Sequence, residues 1–385
     1  MNSLASSKFE EKLNVAPILD EIERLASASR SQRSMKKETM QLLVDSGIFR
    51  AMVPKKFGGI ESTPAEFLKA AIQIAERDMA AGWIAGVVGI HPFQIGMMDE
   101  KAQQDVYGQS PDVIVGSTYN PSGAKAEKAE GGIMLQGRWA WSSGCHHAEW
   151  LILGCVAPGE NLIYSCLVPK KDYRIQDTWF TMGLQGTGSN DIFIDEPVFV
   201  PFYRIHKQTD GFECKNNQPN KMYSIPWAQV FSACVAVPSI GAAKHALRIY
   251  IANKNASSID VAKMHGDPDL ARRVVEVDTL IDAAELSLYR NMALLLETVE
   301  SNKEVSMLER ARIRSQTGTI VTNMIAAVDL LMAVAGGRSV YTGSAIQEIW
   351  LDMRMTHAHI ANNPVPLARN YGNMLLGQEN TNFFM

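Results

Sequence analysis

Cysteine is scarce in this chain, and no two cysteines stand close together. The 385 residues include 5 cysteines, at positions 145, 155, 166, 214 and 234, and none belongs to a C-x-x-C motif. An odd number of widely spaced thiols predicts neither a disulfide framework nor a zinc site. The opening residues, MNSLASSKFEEKLN, are polar and lack the apolar core of a secretory signal. These absences predict reduced thiols in a cytoplasmic protein.

The chain also lacks a surplus of basic charge. Lys plus Arg number 37 and Asp plus Glu number 41, which gives a net charge of −4 and predicts no nucleic-acid partner. One stretch, residues 79–98, contains no Asp, Glu, Lys or Arg and so imitates a membrane span. Its His91, Pro92, Gln94 and glycines are costly in lipid. We therefore interpret the stretch as a buried helix beside a pocket and expect no membrane partner.

The predicted elements divide the chain into three regions. Apolar spacing typical of helices covers much of residues 16–107. Short β-branched and aromatic runs, separated by Pro, Gly and Asn clusters, follow between residues 113 and 200 and suit a compact antiparallel barrel or sandwich. Stretches of bundle length then return from residue 227 onward. We predict an α+β multidomain protein with a helical domain at 1–112, a middle antiparallel β-barrel at 113–218 and a four-helix bundle at 219–385.

This order resembles the layout of the acyl-CoA dehydrogenase fold, and three local motifs support the resemblance. Met182-Gly-Leu-Gln-Gly-Thr-Gly-Ser-Asn-Asp resembles that family's segment rich in glycine and hydroxyl groups before an edge strand. Gly336-Gly337 followed by Trp350-Leu-Asp-Met-Arg resembles its G-G-x-G and R-D region, and Val53-Pro-Lys-Lys-Phe-Gly-Gly resembles its entry loop. Each motif alone is weak, but their order and spacing together are specific and cover nearly the whole chain.

The carboxylate that such a dehydrogenase uses as its base is missing. Many members of the family carry a Glu shortly after the R-D pair, where it removes the α-proton of a thioester. Here the corresponding place holds Ile360, with His359 beside it, and no Asp or Glu lies between Asp352 and Glu379. This pattern resembles a sister group, the oxygenase components of two-component flavin-dependent aromatic monooxygenases. That group includes the hydroxylases of p-hydroxyphenylacetate and of phenolic secosteroids, and indole-oxidising relatives.

The resemblance implies a site for reduced flavin. Trp83 and His91 fit the group's W-x7-H helix, with the Trp against the flavin and the His facing the substrate. The run Trp141-Ser142-Ser143-Gly resembles the strand that presents a hydroxyl to flavin N5; Ser142 is the first choice and Ser143 the second. The implied catalytic residues are His91, His359 and Ser142. The implied cofactor-binding residues are Trp83, Ser117, Trp141, Ser142, Ser143, Gly186, Thr187, Ser189, Gly337 and Arg338.

These residue types suit oxygen transfer to an aromatic ring. The resemblance implies that FADH2 or FMNH2 from a separate NAD(P)H-flavin reductase reacts with O2 to give a C4a-hydroperoxide, which a hydroxyl at N5 and a dry apolar wall protect. An imidazole that titrates near neutral pH would suit removal of a proton from a phenolic OH or indolic NH. The chain has no G-x-G-x-x-G motif, so the partner reductase would consume the nicotinamide. The resemblance also implies a homotetramer, and we expect no bound metal.

Other interpretations remain open from the sequence. A dehydrogenase with a relocated base, for instance at Glu276 or Asp278, is one, and an oxygenase that attacks sulfur or an amine nitrogen is another. A flavin-free scaffold that only binds partners is a third. The single residues also have structural interpretations, since a lone His on an apolar helix is often a core residue, and Trp139 and Trp141 in a strand are core aromatics by default. The sequence does not predict the substrate itself.

Overall fold

The first part of the chain is helical. The computed structural model describes residues 13–160, 162–207, 214, 216–255, 268–382 and 384–385. Its first α-helices are α1 (Leu19–Ser31), α2 (Lys37–Asp45), α3 (Pro64–Ala75), α4 (Met79–Val87), α5 (His91–Met97) and α6 (Glu100–Tyr107). Thr63 and Glu66 form a capping box at the start of α3, and Asp78 caps α4 by accepting from the N–H groups of Ala80 and Ala81.

The uncharged stretch at 79–98 forms two buried helices instead of one. A turn at residues 88–90 separates α4 from α5. Trp83 therefore lies on α4 and His91 is the first residue of α5, so the single W-x7-H helix implied by the resemblance is wrong. Both helices are far shorter than the roughly 20 residues that cross a bilayer.

Strands follow in two sheets. They are β1 (Val115–Thr118), β2 (Ala124–Ala129), β3 (Gly132–Ser142), β4 (Trp150–Val156), β5 (Ile163–Pro169), β6 (Arg174–Gln176), β7 (Asn190–Pro201) and β8 (Ile205–Lys207). One four-stranded sheet has the order β1-β4-β5-β8 and the other β2-β3-β7-β6. The predicted antiparallel β-barrel is wrong in that the described strands form two separate sheets. The described strand pairs are antiparallel except β1–β4, which is parallel.

Long helices return after the strands. They are α7 (Trp227–Asn255), α8 (Pro268–Glu300), α9 (Met307–Met332), α10 (Ala345–Thr356) and α11 (Pro364–Leu375). Helix α9 packs against each of the other four, and α7 also packs against α3 and α4. Of the described helices, α7 alone is long and apolar enough to cross a membrane, and most of its apolar length is buried inside the protein. It is thus placed as a core helix.

Two glycines allow α7 to approach the N-terminal helices closely. A Cβ at Gly241 of α7 would lie 2.5 Å from the Cβ of Ala75, and a Cβ at Gly86 of α4 would lie 2.7 Å from the carbonyl oxygen of Cys234. Any larger residue at either position would force the helices apart. This close packing fixes the position of α4, and with it Trp83, against α7.

Candidate active site

A chain of hydrogen bonds joins four of the predicted cofactor-binding residues. The indole Nε1 of Trp83 donates to the hydroxyl of Ser143 over 3.1 Å. The Ser143 and Ser189 hydroxyl oxygens are 2.8 Å apart, and those of Ser189 and Thr187 are 2.7 Å apart. The Thr187 hydroxyl donates to the carbonyl of Leu184 over 2.8 Å. Helix α4, the end of β3 and the loop before β7 therefore meet at one polar cluster.

The direction of every bond in this chain is fixed by its two ends. An indole N–H can only donate and a carbonyl can only accept. Since Thr187 donates to Leu184, it must accept from Ser189, which in turn accepts from Ser143. Ser143 therefore donates its hydroxyl proton to Ser189 and accepts a hydrogen bond from the Trp83 N–H. One lone pair of the Ser143 oxygen remains as an acceptor for a further N–H or O–H group.

The loop that carries Thr187 and Ser189 depends on left-handed backbone and on a buried carboxylate. Leu184 and Gly188 have φ of 49° and 55°, and a Cβ at Gly186 would lie 3.2 Å from the Cβ of Ala80 on α4. The N–H of Leu184 donates over 2.6 Å to Asp352 of α10, which also accepts over 2.6 Å from Arg30 of α1. Asp352 thus holds a non-glycine residue in a strained conformation.

His91 is fully buried and has a defined tautomer. Its Nδ1 lies 2.5 Å from the carbonyl oxygen of Val115 on β1. A carbonyl accepts only, so Nδ1 carries the proton and Nε2 bears the lone pair. Nε2 has no partner among the described residues. Burial lowers the pKa of His91 to about 4, so the imidazole is neutral at pH 7 and presents an unused acceptor.

His359 has the opposite tautomer. Its Nδ1 accepts from the N–H of Ala361 over 3.2 Å, so the proton of the neutral ring lies on Nε2. Burial, with a smaller contribution from the charge of Arg314, lowers the pKa of His359 to about 4. The neighbouring Asn362 does not orient the ring, because its amide donates to the carbonyl of Thr356 over 3.0 Å. The expectation of an imidazole that titrates near neutral pH is wrong at both positions.

Aromatic rings connect the two histidines. The ring of His359 lies 6.0 Å from that of Trp83 and 6.2 Å from that of Phe231 on α7. Phe231 contacts Tyr119 at 5.4 Å, and Tyr119 contacts His91 at 6.1 Å. These centroid distances are those of packed aromatic pairs. The hydroxyl chain and both histidines consequently border one apolar region.

Several predicted residues lie apart from the hydroxyl chain. Ser142 is fully buried, and its hydroxyl has no partner among the described residues. Ser117 donates to the Tyr119 phenol, which places it on the His91 side. Trp141, at φ 69° within a β-bulge of β3, is 63% exposed. Gly337 and Arg338 are exposed at the turn after α9, and no described hydrogen bond or ion pair joins them to the residues above.

Sequence reasoning missed three polar residues of this region. Tyr119 donates over 2.6 Å to Gln94 Oε1, and Gln94 Nε2 is left without a partner among the described residues. Arg314 is buried on α9 beside the aromatic rings. A signal for Arg314 did exist, since Ala311, Arg314 and the pair Thr317–Gly318 follow the i, i+3 spacing of a buried helix face.

The two alternative bases named from the sequence lie outside this region. Glu276 and Asp278 are exposed on α8, and Glu276 pairs with Arg272 over 3.1 Å. Across the described ranges, no group of three or more His, Cys, Asp or Glu side chains could hold a metal ion.

Known proteins resemble this chain over most of its length. A family model described as "Acyl-CoA dehydrogenase, C-terminal domain" matches residues 233–364. The chain is 30% identical over 371 residues to the flavin-dependent monooxygenase oxygenase subunit HsaA of Mycobacterium tuberculosis, covering 94% of this chain and 93% of that protein. It is 29% identical over 388 residues to the oxygenase component of the FADH2-dependent resorcinol hydroxylase of Rhizobium sp., covering 95% and 93%.

A solved structure extends the similarity to the fold. The crystal structure of 3-HSA hydroxylase from Rhodococcus sp. RHA1 matches with a TM-score of 0.91 at 28% identity, covering 96% of this chain and 97% of that chain. The likeness spans the helices on both sides of the strands as well as the strands themselves. The acyl-CoA dehydrogenase-like fold predicted from the sequence is confirmed in this overall form.

Proposed function

Because this chain belongs to the family of flavin-dependent monooxygenase oxygenase subunits, we propose that it inserts one oxygen atom of O2 into a small aromatic or heteroaromatic substrate, phenolic or indolic. Reduced flavin, FADH2 or FMNH2, comes from a separate NAD(P)H-flavin reductase. The observation that carries the proposal is the pair of neutral histidines of opposite tautomer beside the one-way hydroxyl chain. Among the described residues, neither histidine is paired with a carboxylate.

The groups of the hydroxyl chain fit a reduced flavin. A flavin edge carries both N–H and C=O groups. The Ser143 hydroxyl accepts from the Trp83 N–H and keeps one lone pair that can accept from a flavin N–H. Trp83, Ser143, Thr187 and Ser189 would hold the flavin, which supplies activated oxygen when bound. The hydrogen bonds favour Ser143 over Ser142 as the residue that accepts from a flavin N–H. Trp141 has an exposed indole available to cover the cofactor.

His91 acts as the proton acceptor for the substrate. Full proton transfer from a phenol with a pKa of about 10 to an imidazole with a pKa of about 4 would cost about 8 kcal/mol. His91 therefore accepts a hydrogen bond from the intact OH or NH in the resting complex. The proton moves to Nε2 only when the ring becomes electron-poor during oxygen transfer, since the substrate OH is then far more acidic.

His359 acts as a donor. Its Nε2–H is available, while its Nδ1 is occupied by the Ala361 N–H. A neutral donor next to Trp83 can orient an electron-rich oxygen without adding a full charge to an apolar region. The two histidines thus divide the work, with one accepting from the substrate and the other donating.

The alternatives have less support. An acyl-CoA dehydrogenase needs a carboxylate at the reacting carbon, but Glu276 and Asp278 lie exposed on α8. An oxygenase that attacks sulfur or an amine nitrogen need not remove a proton from its substrate. The free acceptor at His91 Nε2 favours a substrate that presents an OH or NH.

The same proposal includes how the chain is divided and assembled. It consists of a helical domain at 1–112, a strand domain at 113–218 and a helical bundle domain at 219–385, and it forms a cytoplasmic homotetramer with no nucleic-acid or membrane partner. Exposed apolar side chains on the bundle support self-association, among them Val275, Leu286, Val340 and Tyr341. In that assembly Gly337 and Arg338 would contact flavin bound to a neighbouring subunit. Light scattering at several protein concentrations tests the tetramer.

The oxygenase activity is tested with 18O2. The protein is mixed with NADH, a flavin reductase, flavin and a panel of phenols and indoles, and mass spectrometry should find one 18O atom in the product. His359→Ala should lower product per reduced flavin consumed, while the matched control His357→Ala, an exposed residue of the same segment, should not. Turnover of a thioester by an artificial electron acceptor without oxygen would overturn the proposal.

A further inference from the structure

One buried positive charge in the candidate site has no negative partner. Arg314 is 3% exposed, and its guanidinium lies 5.3 Å from the centroid of the Phe384 ring. Its Nη1 donates to the hydroxyl of Ser232, and its Nε has no partner among the described residues. No ion pair joins Arg314 to a carboxylate anywhere in the described part of the chain, whereas Arg30 pairs with the buried Asp352.

Such a charge is costly in the protein alone. Transfer of an ion into a protein interior costs several kcal/mol unless a counter-charge compensates for the lost hydration. Burial lowers the pKa of Arg314 to about 10, so the guanidinium keeps its proton at neutral pH. One neutral hydroxyl and one aromatic face offset only part of the cost. The remaining N–H groups are suited to a charged acceptor from outside the chain.

The position of Arg314 links this charge to the substrate region. Ser232, its hydrogen-bond partner, follows Phe231 on α7, and the Phe231 ring contacts both Tyr119 and His359. The charge of Arg314 also lowers the pKa of His359, which requires the two groups to be close. The guanidinium therefore borders the same apolar region as the two histidines.

We propose that Arg314 binds a carboxylate of the aromatic substrate, so that the preferred substrates are hydroxyaryl or indolyl acids. This inference rests on the proposed function and adds the substrate class. A planar guanidinium with free N–H groups matches a carboxylate in shape as well as charge. An uncharged analogue of the same ring would leave Arg314 unpaired and would be rejected for that reason.

Matched pairs of substrates test the proposal. The pairs are 4-hydroxyphenylacetate with p-cresol and indole-3-acetate with 3-methylindole, each assayed for kcat/KM with a reductase and reduced flavin. The wild type should prefer the acid in at least one pair by about tenfold or more, as expected for a charged hydrogen bond. Arg314→Met should lower kcat/KM for that acid by at least about thirtyfold and raise kcat/KM for the uncharged partner, because no buried charge is then left unpaired.

Two further variants control for a structural role. Arg314→Lys keeps the charge and should recover part of the acid preference. Arg312→Met removes a partly exposed Arg two residues away on α9, on a different side of the helix, and should change neither substrate. If Arg314→Met does not fold, the wild-type ratio and Arg314→Lys decide the matter.

The outcomes separate this inference from the proposed function. Hydroxylation of the uncharged phenols or indoles with no preference for acids would overturn the role of Arg314 and leave the oxygenase intact. An Arg314→Met effect that is equal on acids and uncharged partners, or a loss of reduced-flavin binding, would also overturn it. If no aromatic compound in either class gains 18O, the proposed function itself fails.

Discussion

Asp78 provides a sharp test of the electrostatics around the candidate site. It caps α4, the helix that carries Trp83, and its side chain is buried. Burial, and to a smaller extent the negative charge of Asp352, raises the pKa of Asp78 from 3.8 to about 6. The change to make is Asp78→Asn, because Asn caps helices about as well as Asp and carries no charge.

The sign of the pH effect follows from the two protonation states. Between about pH 4 and 6 the folded protein holds a proton on Asp78 that the unfolded chain has released, so the free energy of unfolding falls as the pH rises through this window. A pKa difference of about 2 corresponds to about 3 kcal/mol at pH 7. Loss of a negative charge at the N-terminus of α4 offsets up to about 1 kcal/mol. We therefore expect Asp78→Asn to stabilise the protein by about 2 kcal/mol at pH 7.

Urea unfolding followed by tryptophan fluorescence measures this effect at about pH 4.5 and 7.5, on either side of the folded pKa. The stabilising effect of Asp78→Asn should be large at the higher pH and small at the lower. The matched control is Asp99→Asn at the exposed cap of α6, which removes a capping carboxylate that is not buried and should not stabilise the protein at pH 7.5. If Asp78→Asn destabilises the protein at pH 7.5, or shows no dependence on pH, the reasoning about Asp78 is wrong.

Three further predictions test the site. Asp352→Asn should weaken reduced-flavin binding in a fluorescence titration, because it leaves Arg30 without its carboxylate partner and weakens the acceptor for the Leu184 N–H. Normal affinity would contradict the role of the loop. Ser143→Ala should increase the hydrogen peroxide formed per reduced flavin, whereas Ser142→Ala should leave that ratio unchanged. Ser142→Ala removes a buried hydroxyl without a described partner, so it should stabilise the protein by up to about 1 kcal/mol. Both active-site histidines have a pKa of about 4, so the single-turnover hydroxylation rate should be constant between about pH 6 and 8. The rate should fall below about pH 5, where protonation of His91 removes its lone pair. A change in rate centred near pH 6.5 would refute the assigned pKa values.

Most of the scaffold could be predicted from the sequence because its signals are local. Helical spacing, turn residues and the order of elements are read within short windows, and they led to the acyl-CoA dehydrogenase-like fold. Closure of a sheet is a long-range property. Nothing in the composition of the strands indicates that they divide into two sheets, or that β1 and β4 pair in parallel.

The candidate site shows the same division. Trp83, Thr187 and Ser189 could be named from motifs, and the structure brings them together with Ser143. The preference for Ser142 could not be checked from sequence, because the bulge at the end of β3 breaks the alternation that would tell which hydroxyl faces α4.

The histidine pKa values and Arg314 depend on burial, which the sequence gives only statistically. His91 looks the same in sequence whether it is hydrated or enclosed, and its shift to a pKa of about 4 comes from complete enclosure by other elements. Arg314 stands on an apolar helix face, but the absence of a carboxylate across from it can be judged only once α7 and α9 are packed.

The carboxylate of Asp352 also bears on how the protein is made. It lies 322 residues after Arg30 and 168 residues after Leu184, its two partners. At a translation rate of about 10 residues per second, roughly half a minute separates the synthesis of α1 from that of Asp352. For about the second half of that time the loop before β7 has been synthesised but lacks its Asp352 anchor. The loop can therefore adopt its final conformation only after the ribosome has delivered α10.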